Sequence, residues 1–314
     1  MLNKIEYLVY LFRNKVRIFL EKKLIKSKIK IKKYAGVNIL NRKEGNNLIS
    51  RSIIEGNPFF AGRYGTVETN IVKQCIEQEF NFRSSYSDAL INSARINAGI
   101  FDANPRVLDN FTDLMIDSTK KADLIGVLRT SQEDYILKKY AEAEIAELVS
   151  LEPYYHNFPW SKNLKGKKVL VIHPFEQTII NQYKKRQNLF NNPDILPDFE
   201  LLTIKAVQTI AGEKSEFKDW FEALEHMKYN VNNTDFDVAI IGCGAYGFPL
   251  AAHVKSLGKQ AIHMGGATQI LFGIKGGRWE NSSVISHQFN ENWVYPLAEE
   301  KPKNYKKIEN GCYW

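Results

Sequence analysis

The stretch that most constrains this chain is 236–280, FDVAIIGCGAYGFPLAAHVKSLGKQAIHMGGATQILFGIKGGRWE. An apolar run, Val238 to Ile241, enters Gly242-Cys243-Gly244-Ala245-Tyr246-Gly247. A helix-like stretch from Pro249 to Leu257 stops at Gly258, and a second apolar run, Ala261 to Met264, ends in Gly265-Gly266. Strand, tight glycine turn, helix and strand make one βαβ unit. The unbroken apolar run fits a strand covered on both faces, as in a parallel sheet. Gly242 and Gly244 permit a sharp turn, and a helix beginning near Phe248 aims free N–H groups above it, where phosphate is the best-suited ligand. The spacing is G-x-G-x-x-G. A glycine turn that only lets a strand and a helix approach closely has the same letters, so both readings stand.

Two dinucleotide-type readings require an acid at the end of the second strand, to hold ribose hydroxyls. The chain has His263-Met264-Gly265-Gly266 there. A Rossmann oxidoreductase or methyltransferase is therefore the weaker alternative, and a nucleoside diphosphate held by backbone amides the stronger one. A methyltransferase also needs several more strands downstream, whereas only about 50 residues follow Gly265, so this unit closes its domain.

Charge divides the chain. Residues 1–33 hold eleven Lys/Arg against two Glu, while the remainder balances 32 basic against 33 acidic residues. The basic character belongs to an arm, and a neutral body argues against nucleic acid as its substrate. Cys75, Cys243 and Cys312 lie far apart without a C-x-x-C, which fits a reducing, cytoplasmic setting rather than disulfides or zinc. No apolar run is long enough to span a bilayer. In 3–24 the residues Ile5, Leu8, Val9, Phe12, Val16, Phe19 and Leu20 recur at helical spacing. On a helical wheel Lys4, Lys15 and Lys22 border that stripe on one side, with Arg13 and Arg17 on the other. Leu11 and Ile18 interrupt the polar face. Cations beside an apolar stripe suit a helix lying in an anionic lipid interface, at the inner face of a cell membrane. A helix docked on the body with a solvated basic back is the alternative.

From about residue 35 to 314 the chain reads as one α/β domain: a Rossmann-like, mostly parallel sheet flanked by helices, preceded by the basic amphipathic helix of 1–34. Expected elements are a short helix over 46–54, a strand at 59–62, and helices over 67–80, 86–96 (Ser85 and Asp88 as caps) and from Asn104-Pro105. A strand at 122–128, a helix from Ser131 to about Ala146 and a short strand at 148–151 follow. Then come a strand at 167–173, a helix to about Leu189, a strand at 200–205 and a helix over 215–229.

Ligands of such sheets collect at the C-terminal strand ends. Gly62, Arg63, Gly65, Thr66, Glu68, Asn97, Arg129, His173, Gly242, Gly244, Tyr246, His263, Gly265 and Gly266 belong there. Glycines allow close backbone approach, arginines grip phosphate with a planar fork, and tyrosines offer a face for a base. Blander readings stand beside these: Arg63 paired with Glu68 as a structural ion pair, and His173 and His263 as hydrogen-bonded scaffold. Asp235-Phe236-Asp237 has the letters of a D-x-D metal motif but precedes its strand, at the opposite sheet edge, and reads as a polar strand entry.

Arg63-Tyr64-Gly65-Thr66-Val67-Glu68, just after a short apolar strand, resembles the Arg-Phe/Tyr-Gly-Asp-Gly-Glu segment of the GT-D-fold glycosyltransferases of bacterial surface glycans. The late βαβ unit ending in Gly265-Gly266 is similar to that family's closing unit, and the resemblance covers roughly 55–275. It implies transfer of a sugar from a nucleoside diphosphate sugar to a glycan acceptor, plausibly lipid-linked, with Glu68 and Arg63 as the catalytic pair. In the family an Asp-x-Glu pair holds a divalent cation on the donor diphosphate, so Mn²⁺ or Mg²⁺ at Glu68 is implied. Here Thr66 stands at the aspartate position, and one carboxylate anchors such an ion poorly. Arg63 with backbone amides is the metal-free alternative, and a glycosyltransferase-like binding or scaffold protein without catalysis is the alternative class. Candidates for a general base are Glu68, then Glu176, then His263.

Overall fold

A computed structural model describes residues 2–24, 33–34 and 36–314. Helix α1 (Leu2–Leu24) is followed by a two-stranded hairpin, β1 (Lys33–Tyr34) and β2 (Val37–Asn38). Then come α2 (Arg42–Glu55), β3 (Phe59–Gly62), α3 (Thr66–Glu79), α4 (Asp88–Ile96), α5 (Pro105–Lys121), β4 (Leu124–Val127), α6 (Glu133–Tyr140) and β5 (Glu144–Glu147). The chain continues with β6 (Lys168–His173), α7 (Glu176–Tyr183), β7 (Glu200–Lys205), α8 (Trp220–Asn232), β8 (Val238–Ile241), α9 (Gly247–Ser256) and β9 (Gln260–His263). The last fifty residues form short helical turns.

Strands β3 to β9 build one seven-stranded sheet in the order β5-β4-β3-β9-β8-β6-β7, and every pairing is parallel. The late βαβ unit supplies the central strand β9 and its neighbour β8, which is why their apolar runs are unbroken: β8 sends Val238 and Ile240 into one core and Ala239 and Ile241 into the other. One core holds the inner faces of α3, α4, α5, α8 and α9, and the other those of α2, α7 and the C-terminal turns. The chain leaving β6 crosses to one face through α7, and the chain leaving β8 crosses to the opposite face through α9. The same divergence separates β3 from β9. A crevice therefore opens over the C-terminal ends of the four strands β3, β9, β8 and β6, where such topology places ligands.

The helix expected over 131–146 is two elements. It stops at Tyr140, and residues 144–147 form the edge strand β5 in register with β4, Leu124 opposite Glu144 and Val127 opposite Glu147. The Ala/Glu-rich letters favour helix, but strand pairing overrides that weak preference. The strand expected at 148–151 is a 3₁₀ turn, folded so closely over β4 that a Cβ on Gly126 would lie 2.9 Å from Leu151. Capping also moves. Ser87, not Ser85, caps α4, and α6 starts from Gln132 in the left-handed region, its approach pinned by Glu133 accepting from the amides of Leu128 and Thr130 at 3.2 Å. Helix α2 begins earlier than expected because Asn41 and Glu44 form a reciprocal capping box. Asp235 and Asp237 are a strand entry as read, meeting the Nζ and backbone N–H of Lys168.

Helix α1 lies against the body through one face. Tyr7 is fully buried; its hydroxyl donates to Gln132 Oε1 at 2.5 Å, and its ring sits among Phe80, Phe82 and Tyr135. Tyr10 donates to Asp134, and Leu11 packs on the same core. The interruption of the polar face by Leu11 is thus the docking face itself. Much of the basic segment, 25–32, falls outside the described residues, as do the side chains of Lys15, Arg17, Ile18, Phe19, Leu20 and Lys22.

Candidate functional site

The crevice is built from two glycine turns facing one another across the sheet edge. The first follows β3. Four buried residues, Phe59 to Gly62, deliver Arg63 to the edge, and Tyr64 turns back into the core to meet the hydroxyl of Thr119. Gly65 then caps α3 with no side chain of its own. Glu68, in the first turn, folds back over it: a Cβ on Gly65 would lie 2.0 Å from Glu68 Oε2. Only glycine leaves room for that carboxylate. Burial raises the carboxyl of Glu68 above its ordinary value, partly offset by its own backbone N–H and by the charge of Arg63.

Arg63 lies along the backbone of Gly265, where a Cβ would come within 2.4 Å of Nη2. Gly265 has φ +62°, a conformation that favours glycine, and its bareness leaves room for the guanidinium where it lies. Among the described residues the guanidinium donates one hydrogen bond, Nη1 to the carbonyl of Tyr64 at 3.0 Å, and forms no ion pair. The structural Arg63–Glu68 ion pair of the sequence reading is therefore not made. Glu152, which sequence reasoning missed, is a second carboxylate under the influence of Arg63. It is buried, accepts from Tyr154 at 2.9 Å, and is pushed up to about 7 by burial, with Tyr154 and Arg63 pulling the other way. It sits in an aromatic loop with no periodic pattern, so no local signal marked it.

The second turn follows β8. A Cβ on Gly242 would lie 2.6 Å from Thr268 and 2.7 Å from His173, and one on Gly247 would lie 2.1 Å from the ring of His263. Gly244 differs: it has φ +58° and nothing nearer than a carbonyl 4.0 Å away. Two of the three motif glycines thus admit neighbouring side chains, and the middle one alone turns the backbone at the crevice surface. His173 Nδ1 accepts from the amide of Phe175 at 3.0 Å, and His263 Nδ1 lies 3.2 Å from the carbonyl of Ile241. Burial drives both imidazoles down to about 3. These rings are neutral scaffold, and a ring so hard to protonate is a poor general base.

Of the residues expected at the site, Arg63, Gly65, Thr66, Glu68, Asn97, His173, Gly242, Gly244, Tyr246, His263, Gly265 and Gly266 line this one crevice. Gly62 lies beneath it, packed under Phe60, Phe248 and His263. Arg129 is not brought in: it is exposed at the end of β4, one strand beyond the crevice wall. Glu176 also stays outside the lining. Tyr246 offers no free face to a base, because one face of its ring stacks on Trp220 at 4.6 Å and 6° and the residue is only 2% exposed. Sequence reasoning missed the wall formed by 207–210 and by the C-terminal turns. There Tyr313 lies over Gly266, and Arg278 donates to Tyr313 Oη at 3.0 Å and to Glu309 at 2.6 Å. Gln269 ties that wall down by donating to the carbonyl of Tyr313 at 3.1 Å. Only Gly276-Gly277 before Arg278 hinted at a close approach in this tail.

Among the described residues no set of three His, Cys, Asp or Glu is arranged to hold a metal ion. Glu68 is a single hard donor, Thr66 is exposed beside it, and Glu309 across the crevice is engaged by Arg278. That donor set is too small to hold Mn²⁺ or Mg²⁺ by protein groups alone, and an ion there would need phosphate oxygens of a donor to complete its shell. Among the same residues no helix is long and apolar enough to cross a membrane.

No protein-family model matches the chain, and no curated protein sequence does. Among solved structures it is similar to a selenomethionine structure of domain of unknown function 1792, at 14% identity and a TM-score of 0.42, covering 85% of this chain and 93% of that one. The class defined by fold and crevice is thus an α/β protein with a parallel, Rossmann-like sheet and a polar crevice at the C-terminal strand ends.

Proposed function

We propose that the chain is a glycosyltransferase that takes a sugar from a nucleoside diphosphate sugar and passes it to a surface-glycan acceptor, with Arg63 as the cation that receives the leaving group. The observation that carries this reading is the guanidinium itself, lying against the bare Gly265 at the crevice and donating to the carbonyl of Tyr64, with no ion pair among the described residues to neutralise it. As the bond from the anomeric carbon to the phosphate oxygen lengthens, negative charge collects on the diphosphate. A planar fork already in place stabilises that charge without reorganising. The exposed middle of the Gly242–Gly247 turn contributes backbone amides at the start of α9. The resemblance of 63–68 to the glycosyltransferase segment supports the donor class.

A binding or scaffold role is the second reading, favoured by one feature: Glu68 stands alone where the resembled segment carries two acids. Purified protein separates the two readings. Melting temperature is measured against nucleoside diphosphates, NADH and S-adenosylmethionine, and donor hydrolysis is followed with Mn²⁺ and with chelator. Stabilisation by nucleoside diphosphates with hydrolysis that survives chelation is the expected result. Stabilisation without turnover would mean a binding protein, and stabilisation by NADH or S-adenosylmethionine alone would overturn both.

A further inference from the structure

Helix α1 has two apolar faces, and the body covers only one. Tyr7, Tyr10 and Leu11 point inward, onto Gln132, Asp134 and Tyr135. On the opposite side Ile5, Leu8, Val9, Phe12 and Val16 are 42–70% exposed, Phe12 most of all. Five large apolar side chains on a helix whose other face is already docked form a contiguous patch, not scattered exposure. The docking hydrogen bonds hold that patch outward, so it is presented by a mounted helix rather than by a loose tail.

We propose that this outward face of α1 inserts into an anionic bilayer surface, with α1 lying in the plane of the interface. The occupant follows from charge. Residues 1–33 carry eleven Lys/Arg and two Glu, and Arg13 is exposed beside the patch. A second copy of the chain seated on the same face would bring two such arms together and repel. Acidic headgroups attract them, while the apolar side chains enter the acyl boundary. This inference does not depend on which ligand the crevice takes.

The test uses the full chain, because cutting the arm away would strip Tyr7 from Phe80, Phe82 and Tyr135 and disturb the body. Co-sedimentation is measured with phosphatidylcholine vesicles with and without phosphatidylglycerol. Leu8→Glu with Phe12→Glu, both at exposed positions, should lower binding to the phosphatidylglycerol vesicles at least about tenfold and leave the melting temperature in place. The milder Phe12→Ser should lie between, which keeps the test valid if the double change alters folding. Binding that is equal for wild type and both variants would overturn insertion. Equal binding to neutral vesicles would overturn the anionic partner. A concentration-dependent increase in size without lipid, abolished by Phe12→Glu, would show that a second copy covers the face instead.

Discussion

The two glycine turns over the sheet edge carry similar letters and do different things. After β8, Gly242 and Gly247 are filled from outside by Thr268, His173 and His263, so their bareness lets a strand, a helix and two neutral imidazoles approach. After β3, Gly65 makes room for the Glu68 carboxylate, and Gly265 across the crevice makes room for the Arg63 guanidinium. One turn uses glycine for packing, the other for placing charge. A spacing such as G-x-G-x-x-G is blind to that difference, because an absent Cβ leaves no trace of what occupies its place.

The largest effect expected from breaking the contrast is at Arg63. Arg63→Ala should cost about a hundredfold to a thousandfold in turnover of a nucleoside diphosphate sugar while moving the melting temperature little, since the side chain makes one hydrogen bond among the described residues. Arg63→Lys should restore only a small part, because an ammonium lacks the fork. Paired rate and melting measurements check this; a large loss of stability with turnover retained would make Arg63 structural.

Next in size is a pair of substitutions within the β8 turn. Gly247→Ala would drive a methyl into the ring of His263, and a cost of about 3 kcal/mol is expected in urea denaturation. Gly244→Ala meets open space and only an unfavourable φ, for about 1 kcal/mol. Equal costs at the two positions would erase the distinction drawn between them. A nucleotide-affinity loss confined to Gly244→Ala would tie the exposed amides to the ligand.

The smallest effect concerns the acid near Arg63. Glu152 titrates higher in the folded chain than in the unfolded one, so it contributes stability in acid that is lost as pH rises through about 7. Glu152→Gln keeps an acceptor for Tyr154 and removes the titration. Stability curves of the two proteins should differ in slope, by about 2 kcal/mol in total between about pH 5 and pH 8. Parallel curves would show that Glu152 is already ionised in the fold and neutralises part of the Arg63 charge.

The sequence by itself determined what is periodic or strictly local. Continuous apolar runs defined β6, β8 and β9, and the Asn104-Pro105 start and the strand at 200–205 were readable because a cap and an edge strand are properties of a few adjacent residues. The stripe of α1 was legible in the same way. The convergence of 63–68, 173, 242–246 and 263–266 followed from strand ends, whereas 97–99, expected at a strand end, reaches the crevice from the turn that closes α4. Tertiary structure decided the rest. It split 131–146 into a helix and an edge strand, because pairing with β4 outweighs helix preference. It left Arg129 outside the crevice, since sheet order is set by distant pairings that no local run encodes. It also brought Glu152, Arg278 and Tyr313 near Arg63 and Gly266 from far along the chain, and it turned one apolar face of α1 inward and the other out. Those outcomes depend on which surfaces remain after everything else has packed, and that is a property of the whole fold.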